Sequence, residues 1–359
     1  MYDLIVIGGG ASGLVVALVA EKRGKNVIIL EKEEKVGKKI LVTGNGKCNL
    51  SAINVKAENY NTGFVSDIIK EDVLKFFSEI GLVTKSMGER IYPYHESALG
   101  VVNILRKNLK NTQIITDSYV TDILPTQKGF KVNGYEGRNV ALCTGSKATK
   151  GTESYALYQK FGHNLIPPKS SVVPLVTSST AIKGLANLRA KVSVSLIQNN
   201  EKVYSQMGEI LFKNDGLSGI CSMMLSTFIA RNGGAYDVSI DFAPTMTENQ
   251  VKEFTEKYDL DGMLLKPISE KIKFVAKEEK RKVYKVVKDF RIKNVFNGTI
   301  KNAQVICGGL DVNQFNDNLE SKLIKGLYAC GEVLDVDGEC GGYNLHFAFA
   351  SGIRVGKSI

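Results

Sequence analysis

The chain has 359 residues, more than one ordinary domain needs, with 47 Lys and Arg against 37 Asp and Glu and a formal net charge of +10. The composition is that of a globular protein. No apolar run approaches the ~18 residues of a bilayer span, and no basic segment followed by an apolar one precedes the first strand, so a cytoplasmic protein is expected. Six scattered cysteines (Cys48, Cys143, Cys221, Cys307, Cys330, Cys340) and three unclustered histidines (His95, His163, His346) lack metal-ligand spacing; reduced thiols and no metal site are expected.

An apolar strand up to Ile7 runs straight into Gly8-Gly9-Gly10-Ala11-Ser12-Gly13, followed by a helix over residues 14–23 and a second strand over 26–30. That order suits the ADP half of a dinucleotide. Gly8 permits a sharp turn, Gly10 clears the approach to the pyrophosphate, and Gly13 lets the helix pack on the strand. The N–H groups from Ala11 and Ser12 onward then face the phosphates. Glu31, 18 residues after Gly13, is placed to bond the ribose hydroxyls, with Lys32 beside it.

Residues 67–80 and 98–109 read as amphipathic helices and 113–116 as a strand leading toward Val120. Strands over 130–132 and 139–143 follow, the second running into Thr144-Gly145. From Ser171 the texture changes: 172–176, 190–196 and 236–241 alternate with turn residues, as strands of an antiparallel β unit do. Residues 247–290, rich in Glu, Lys and Leu and opened by Thr247-Glu248-Asn249-Gln250, read as a small helical insertion. Between Lys266 and Lys293 lie eleven basic and four acidic residues, a local charge of +7. Two readings stay open: a solvated helix face, or a contact for a polyanion through Lys277, Lys280, Arg281, Lys282, Lys285 and Lys288.

The chain then returns to the nucleotide domain, with a buried strand ending in Gly331-Glu332 and a final helix opened by Gly341-Gly342-Tyr343-Asn344-Leu345. A nucleotide domain split between the two ends of the chain suits FAD enzymes better than nicotinamide dehydrogenases. Glu332 supplies a carboxylate for the ribityl chain. The Gly342 turn would aim N–H groups at the flavin C2 carbonyl, although an ordinary helix start is the plainer reading of that turn.

Residues 37–49, Gly-Lys-Lys-Ile-Leu-Val-Thr-Gly-Asn-Gly-Lys-Cys-Asn, are similar to the Gly-Arg-Lys-Leu-Leu-x-Thr-Gly-Asn-Gly-Arg-Cys-Asn signature of the BaiN-like (YhiN/RdsA-type) bacterial flavoproteins. Arg90-Ile91-Tyr92-Pro93, Gly216-Leu217-Ser218-Gly219 and the block 326–345 resemble further stretches of that family. The resemblance spans nearly the whole chain and implies an α/β fold class: a glutathione-reductase-type FAD-binding Rossmann domain (1–170 and 303–359), interrupted by a β-barrel-like domain (171–245 and 294–302) that carries the helical insertion (246–293). It implies FAD as cofactor, held in part by Lys39, Thr43, Gly44, Asn45, Lys47, Cys48 and Asn49. Lys47 is expected to contact a phosphate.

The chain departs from the family at Lys213 and Asn214, where the family has Thr-His, at Ile220 in place of proline, at His95 in place of serine, at His346 in place of glutamine and at Ser146 in place of glycine. These departures leave the FAD blocks intact and put the substrate in question. With no second Gly-x-Gly-x-x-Gly, NAD(P)H is expected to donate electrons through transient docking. Cys48 has no neighbouring cysteine, which disfavours a thiol relay and leaves it as a small residue packed on the flavin turn.

The resemblance implies reduction of an activated C=C, as in uridine to dihydrouridine in ribosomal RNA or in unsaturated bile-acid ketones, oxidation of a small amine such as aminoacetone, or a non-catalytic flavoprotein. The basic insertion favours ribosomal RNA as substrate and partner. Delivery of a hydride to C6 of uracil needs a proton at C5 and stabilisation of charge on O4; Tyr92, His95 and His346 are candidate donors and Arg90 the candidate stabiliser, against purely structural roles for all four.

Overall fold

The computed structural model describes residues 1–146 and 155–359. It divides into two compact units, residues 1–169 with 305–359 and residues 170–304. In the first unit, β1 (Tyr2–Ile7), α1 (Ala11–Lys22) and β2 (Val27–Leu30) form a parallel βαβ opening, with Ile7 opposite Leu30. Then come β3 (Ser51–Ala52), α2 (Val73–Glu79), β4 (Thr84–Met87), β5 (Arg90–Pro93), α3 (Ala98–Asn108), β6 (Gln113–Ile115), β7 (Leu124–Thr126), β8 (Gly129–Val132), β9 (Tyr135–Leu142), α4 (Tyr155–Gln159) and β10 (Leu165–Ser171).

The second unit contains β11 (Leu175–Thr177), β12 (Arg189–Gln198), β13 (Glu201–Phe212), β14 (Gly216–Ser218), α5 (Ile220–Asn232), β15 (Tyr236–Asp241), α6 (Glu248–Lys257), α7 (Lys266–Glu278), α8 (Val283–Lys288) and β16 (Phe290–Asn297). The first unit is completed by β17 (Val305–Leu310), β18 (Leu327–Ala329) and α9 (Tyr343–Ser358).

The main sheet runs β6-β2-β1-β9-β8-β7, and β18 pairs with the C-terminal part of β9. Strands β6, β2, β1, β9 and β18 are parallel, so their C-terminal ends, and the loops that leave them, share one edge. The buried aliphatic runs 4–7 of β1 and 27–30 of β2 fit a sheet covered on both faces. In the other unit β11, β14, β13, β12, β15 and β16 close into a barrel through the β11–β16 pairing. Alternate residues Val192, Val194 and Leu196 of β12 and Val238 and Ile240 of β15 point inward and join one apolar cluster with Val251, Ile272 and Val286 of the helical stretch. The helices are thus part of the barrel's own core.

Two local expectations differ from what forms. Residues 67–80 are not one helix: a short turn, Ile68–Lys70, precedes α2, whose start is fixed by the Asp72 carboxylate accepting from the Lys75 N–H at 2.8 Å. The strand expected over 172–176 is broken because Val172 takes φ +45° and Pro174 lacks an N–H, so β10 ends at Ser171 and β11 begins at Leu175.

Helix α1 is buried from Ser12 to Ala20, and α9 lies directly on it. The contact is made by glycines. A Cβ on Gly352 would sit 2.8 Å from the Ser12 carbonyl oxygen, and one on Gly356 would sit 2.6 Å from the Val19 Cβ. Overpacking such a contact costs about 1–3 kcal/mol or more. Gly356→Val is therefore expected to lower the melting temperature by several degrees, read by circular dichroism, with Gly63→Ala as control because nothing lies within 4 Å of a Cβ there and its φ is not positive.

Candidate functional site

The parallel strand ends converge on a single edge. At the end of β1, Gly8 adopts φ +101°, with its α-carbon so close to the start of the Cys143-Thr144 segment that a Cβ would lie 2.6 Å from the Cys143 carbonyl. A Cβ on Gly13 would overlap the Gly8 carbonyl oxygen. By contrast, a Cβ on Gly10 would meet nothing nearer than 3.9 Å. Two glycines are thus required by the protein's own packing, and Gly10 leaves clear space above the start of α1, where Ala11 and Ser12 begin the helix. The Ser12 hydroxyl donates to the Cys330 carbonyl at 3.3 Å and ties this loop to the end of β18.

At the end of β2 the Glu31 carboxylate accepts from the Gly9 N–H at 2.6 Å and the Glu33 N–H at 2.9 Å. It is held beside the glycine loop with lone pairs to spare. Lys32 follows it, and Val120 is buried further along the same edge. After β9 the chain passes through Thr144 and Gly145, which has φ +71° and open space around it. After β18, Glu332 forms an ion pair with Lys39 and accepts from the Ile306 N–H at 3.1 Å.

The turn over 43–49 is irregular: Gly44, Asn45 and Cys48 all have φ near +55 to +59°. The Thr43 hydroxyl closes it onto the Ile40 carbonyl at 2.7 Å. Cys48 is fully buried and burial pushes its thiol up to about 12, which leaves it protonated and inert. Lys47 pairs with Glu96 at 2.6 Å, and Lys85 pairs with the other Glu96 oxygen at the same distance. The two ammonium groups hold the Glu96 carboxyl down to about 2. Glu96 has no motif to mark it in the sequence, and its pairing assigns Lys47 to the support of the turn.

Gly342 begins α9 with φ +108°, and a Cβ there would sit 2.6 Å from the Ser51 carbonyl and 2.9 Å from Asn49 Oδ1. Only glycine fits. The N–H groups of Tyr343, Asn344 and Leu345 open the helix without hydrogen-bond partners among the described residues, as first-turn N–H groups do. The Asn344 side chain instead closes the preceding loop, accepting from the Gly338 N–H and donating to its carbonyl, both at 2.8 Å. Asn49 Oδ1, buried beside this turn, has no hydrogen-bond partner among the described residues. A donor is therefore required there, and the pyrimidine edge of a flavin carries an N–H that suits it. Together the open space at Gly10, the held Glu31 and Glu332 carboxylates, the free N–H groups of α9 and the orphaned Asn49 oxygen fit an FAD molecule laid along this edge.

The candidate catalytic residues separate. Arg90 and Tyr92 are two apart on β5 and so share one face. Neither side chain has a hydrogen-bond or ion-pair partner among the described residues. The Tyr92 ring reaches the flavin turn, its Cε1 lying 3.4 Å from where a Gly44 Cβ would sit. His95 is exposed, accepts from the Ser97 N–H at 3.1 Å through Nδ1 and lies against Gly100 at the start of α3.

His346 is buried in α9. Its Nε2 faces the Ile69 carbonyl at 3.0 Å, which can only accept, so Nε2 carries the proton and Nδ1 accepts from the Ser51 hydroxyl at 2.8 Å. Both nitrogens are used in joining α9 to β3 and to the residues before α2. Sequence spacing also gave no hint of Cys307, Asp335 and Asp337, whose ligand atoms lie within 4.8 Å of one another; the Asp335 carboxylate already accepts from the Gly308 N–H and from Asn61.

A model of the HI0933-like protein Rossmann domain matches residues 2–358. The chain belongs to this family. It is 32% identical to the 3-dehydro-bile acid delta(4,6)-reductase of Clostridium scindens, with 100% of this chain and 99% of that protein covered. It is 27% identical to the ribosomal RNA dihydrouridine synthase of Haemophilus influenzae, over 99% and 98% of the two chains. Among solved structures, the 3-ketosteroid-delta4-(5alpha)-dehydrogenase of Rhodococcus jostii is similar in fold, with a TM-score of 0.53, 14% identity and 99% and 96% coverage. The relatives support the BaiN-like reading, and the chain is an FAD-dependent oxidoreductase. No helix among the described residues is long and apolar enough to cross a membrane.

In the other unit, the basic stretch is less free than its sequence suggests. Arg281 pairs with Glu279 and Asp289 and donates to the Lys285 and Asp289 carbonyls. Lys285 pairs with Glu248, and Lys288 pairs with Asp241 while donating to the Ala243 and Met246 carbonyls. Lys277, Lys280 and Lys282 are exposed, and none has an ion-pair partner among the described residues.

Two outcomes test the site. Gly10→Val is expected to keep the parental circular dichroism but lose yellow colour and bound FAD, whereas Gly13→Val is expected to lose both fold and FAD. Burial lowers the His346 and His163 imidazoles below their ordinary 6.5. The folded chain then binds fewer protons than the unfolded one, so their stabilisation is full above about pH 6.5 and is lost as pH falls below it. The melting temperature should fall from pH 7.5 to pH 5.5, and His346→Gln, which keeps a donor and an acceptor, should flatten that slope.

Proposed function

We propose that this protein reduces a C=C bond conjugated to a carbonyl, with NAD(P)H as a transiently docking electron donor and uridine in large-subunit ribosomal RNA as substrate. Bound FAD supplies the hydride chemistry. The observation that carries the reading is the pair Arg90 and Tyr92 on one face of β5, both without hydrogen-bond or ion-pair partners among the described residues, with Tyr92 against the 43–49 turn. Arg90 stabilises negative charge developing on the carbonyl oxygen, and Tyr92 gives a proton to the carbon next to it. His346 is locked in its hydrogen bonds and His95 supports the start of α3, which leaves Tyr92 as the donor.

Exposed Lys277, Lys280 and Lys282 support RNA as the substrate carrier, as does the kinship with a ribosomal RNA dihydrouridine synthase. A second reading, reduction of a small unsaturated ketone, is favoured by the 32% identity to the bile-acid reductase and by the ion pairs that absorb Arg281, Lys285 and Lys288. The chemistry at the flavin is the same in both.

The test is to incubate reduced protein with unmodified ribosomal RNA and measure the mass of released nucleosides. A gain of two hydrogens on uridine is expected, slowed roughly 10²-fold or more by Tyr92→Phe and Arg90→Met at unchanged FAD content. Replacing Lys277, Lys280 and Lys282 by Gln should weaken RNA binding and reduce the log–log salt slope by roughly 2–3. No gain on uridine, together with turnover of an unsaturated ketone by the same preparation, would establish the second reading.

A further inference from the structure

The loop that delivers the chain to α9 is tied along its length to a strap at residues 59–61. Asn61 makes four of the bonds. Its Nδ2 donates to the Asp335 carbonyl at 3.1 Å and to Asp335 Oδ1 at 3.2 Å. Its Oδ1 accepts from the Asp337 N–H at 3.0 Å, and its own N–H donates to the Asp337 carbonyl at 3.1 Å. Both functions of the side-chain amide are consumed, so neither a carboxylate nor an apolar group can replace it without loss.

The neighbours on the strap act in the same direction. Asn59 donates through Nδ2 to Glu339 Oε2 at 3.1 Å and accepts from the Glu339 N–H at 2.9 Å. The Tyr60 ring lies against Gly338, with its Cε1 3.0 Å from where a Cβ would be, and its hydroxyl donates to the Tyr343 carbonyl at 2.9 Å. From the other side Asn344 closes the loop onto the helix. The result is a loop fixed at Asp335, Asp337, Gly338 and Glu339, immediately before the Gly342 turn.

We infer that Asn61 is a positioning residue for the cofactor: by fixing the 335–339 loop it sets the direction of the Tyr343, Asn344 and Leu345 N–H groups, and with it the relative affinity of the site for reduced and oxidised FAD. The inference rests on the FAD reading of the site. The N-terminal end of a helix favours negative charge, so a misdirected α9 holds the two-electron-reduced cofactor less well than the oxidised one. The midpoint potential then becomes more negative.

The experiment is a redox titration of the holoprotein from pH 5 to pH 8, with circular dichroism to verify the fold. In Asn61→Asp, the ionised carboxylate at pH 8 faces the carbonyl and carboxylate of Asp335, whereas its protonated form at pH 5 restores one donor. The offset from the parent potential is expected to grow with pH, reaching about a tenfold relative loss of reduced-FAD affinity at pH 8, equivalent to about 30 mV. Asn61→Ala, which cannot titrate at this position, should show an offset of the same sign that does not change with pH.

Parental potentials in both folded variants would overturn the inference. If the Asn61 variants do not fold, Asn59→Ala, which removes the Glu339 side-chain contact and the bond from the Lys56 N–H but leaves every Asn61 bond in place, should give a smaller offset of the same sign, and its absence counts equally against the inference. A parent that holds no FAD overturns the cofactor reading as well, and is recognised before any variant is made.

Discussion

Gly352 and Gly356 of α9 meet Ser12, Val16 and Val19 of α1 with no room for a side chain between them. This crossing fixes the two helices whose N-termini carry most of the site. The start of α1 lies beside the glycine loop of β1, and the start of α9 lies beside the turn over residues 43–49. Because the helices are packed backbone to backbone, the separation of these two N-termini is set by the core, while the 335–339 loop directs the first turn of α9. An FAD molecule laid along this edge would have its pyrophosphate and its flavin placed by the same contact.

Around that frame, three acidic groups near the cofactor edge are already held. Glu31 is bonded to backbone N–H groups, Glu332 to Lys39 and the Ile306 N–H, and Glu96 to Lys47 and Lys85. Among the described residues, the donors left over are the first N–H groups of α9, Arg90 and the Tyr92 hydroxyl. A site with spare donors and held carboxylates suits chemistry in which electron density builds on a carbonyl oxygen. Three buried thiols, Cys48, Cys143 and Cys221, have their pKa values raised by burial and take no part in such chemistry.

Most of the nucleotide-binding part was legible in the sequence because it depends on local rules. Glycines with different jobs at Gly8, Gly10 and Gly13, aliphatic strands, and an acid at a strand end each leave a signature within a few residues. The barrel was harder to read. Strand β13 (Glu201–Phe212) is exposed at most alternate positions, and β16 (Phe290–Asn297) follows directly on helices, so neither stood out by periodicity. The roles of His346 and Asn344 were not legible either, since their partners Ser51, Ile69 and Gly338 are joined to them only by tertiary structure or by a turn. Asn61 and Glu96 belong to no motif and emerge only from their bonds. The basic insertion misled by count: its charge is real, but ion pairs absorb part of it.

The account stands on one cofactor spanning both helix N-termini, and hydrogen exchange of the apoprotein with and without added FAD measures this directly. Protection is expected in peptides covering residues 8–14 and 31–33, and equally in those covering 41–49 and 331–345. Protection confined to residues 8–14 and 31–33, with none at 341–345, would mean that only the ADP half is held and would contradict the flavin site at the start of α9.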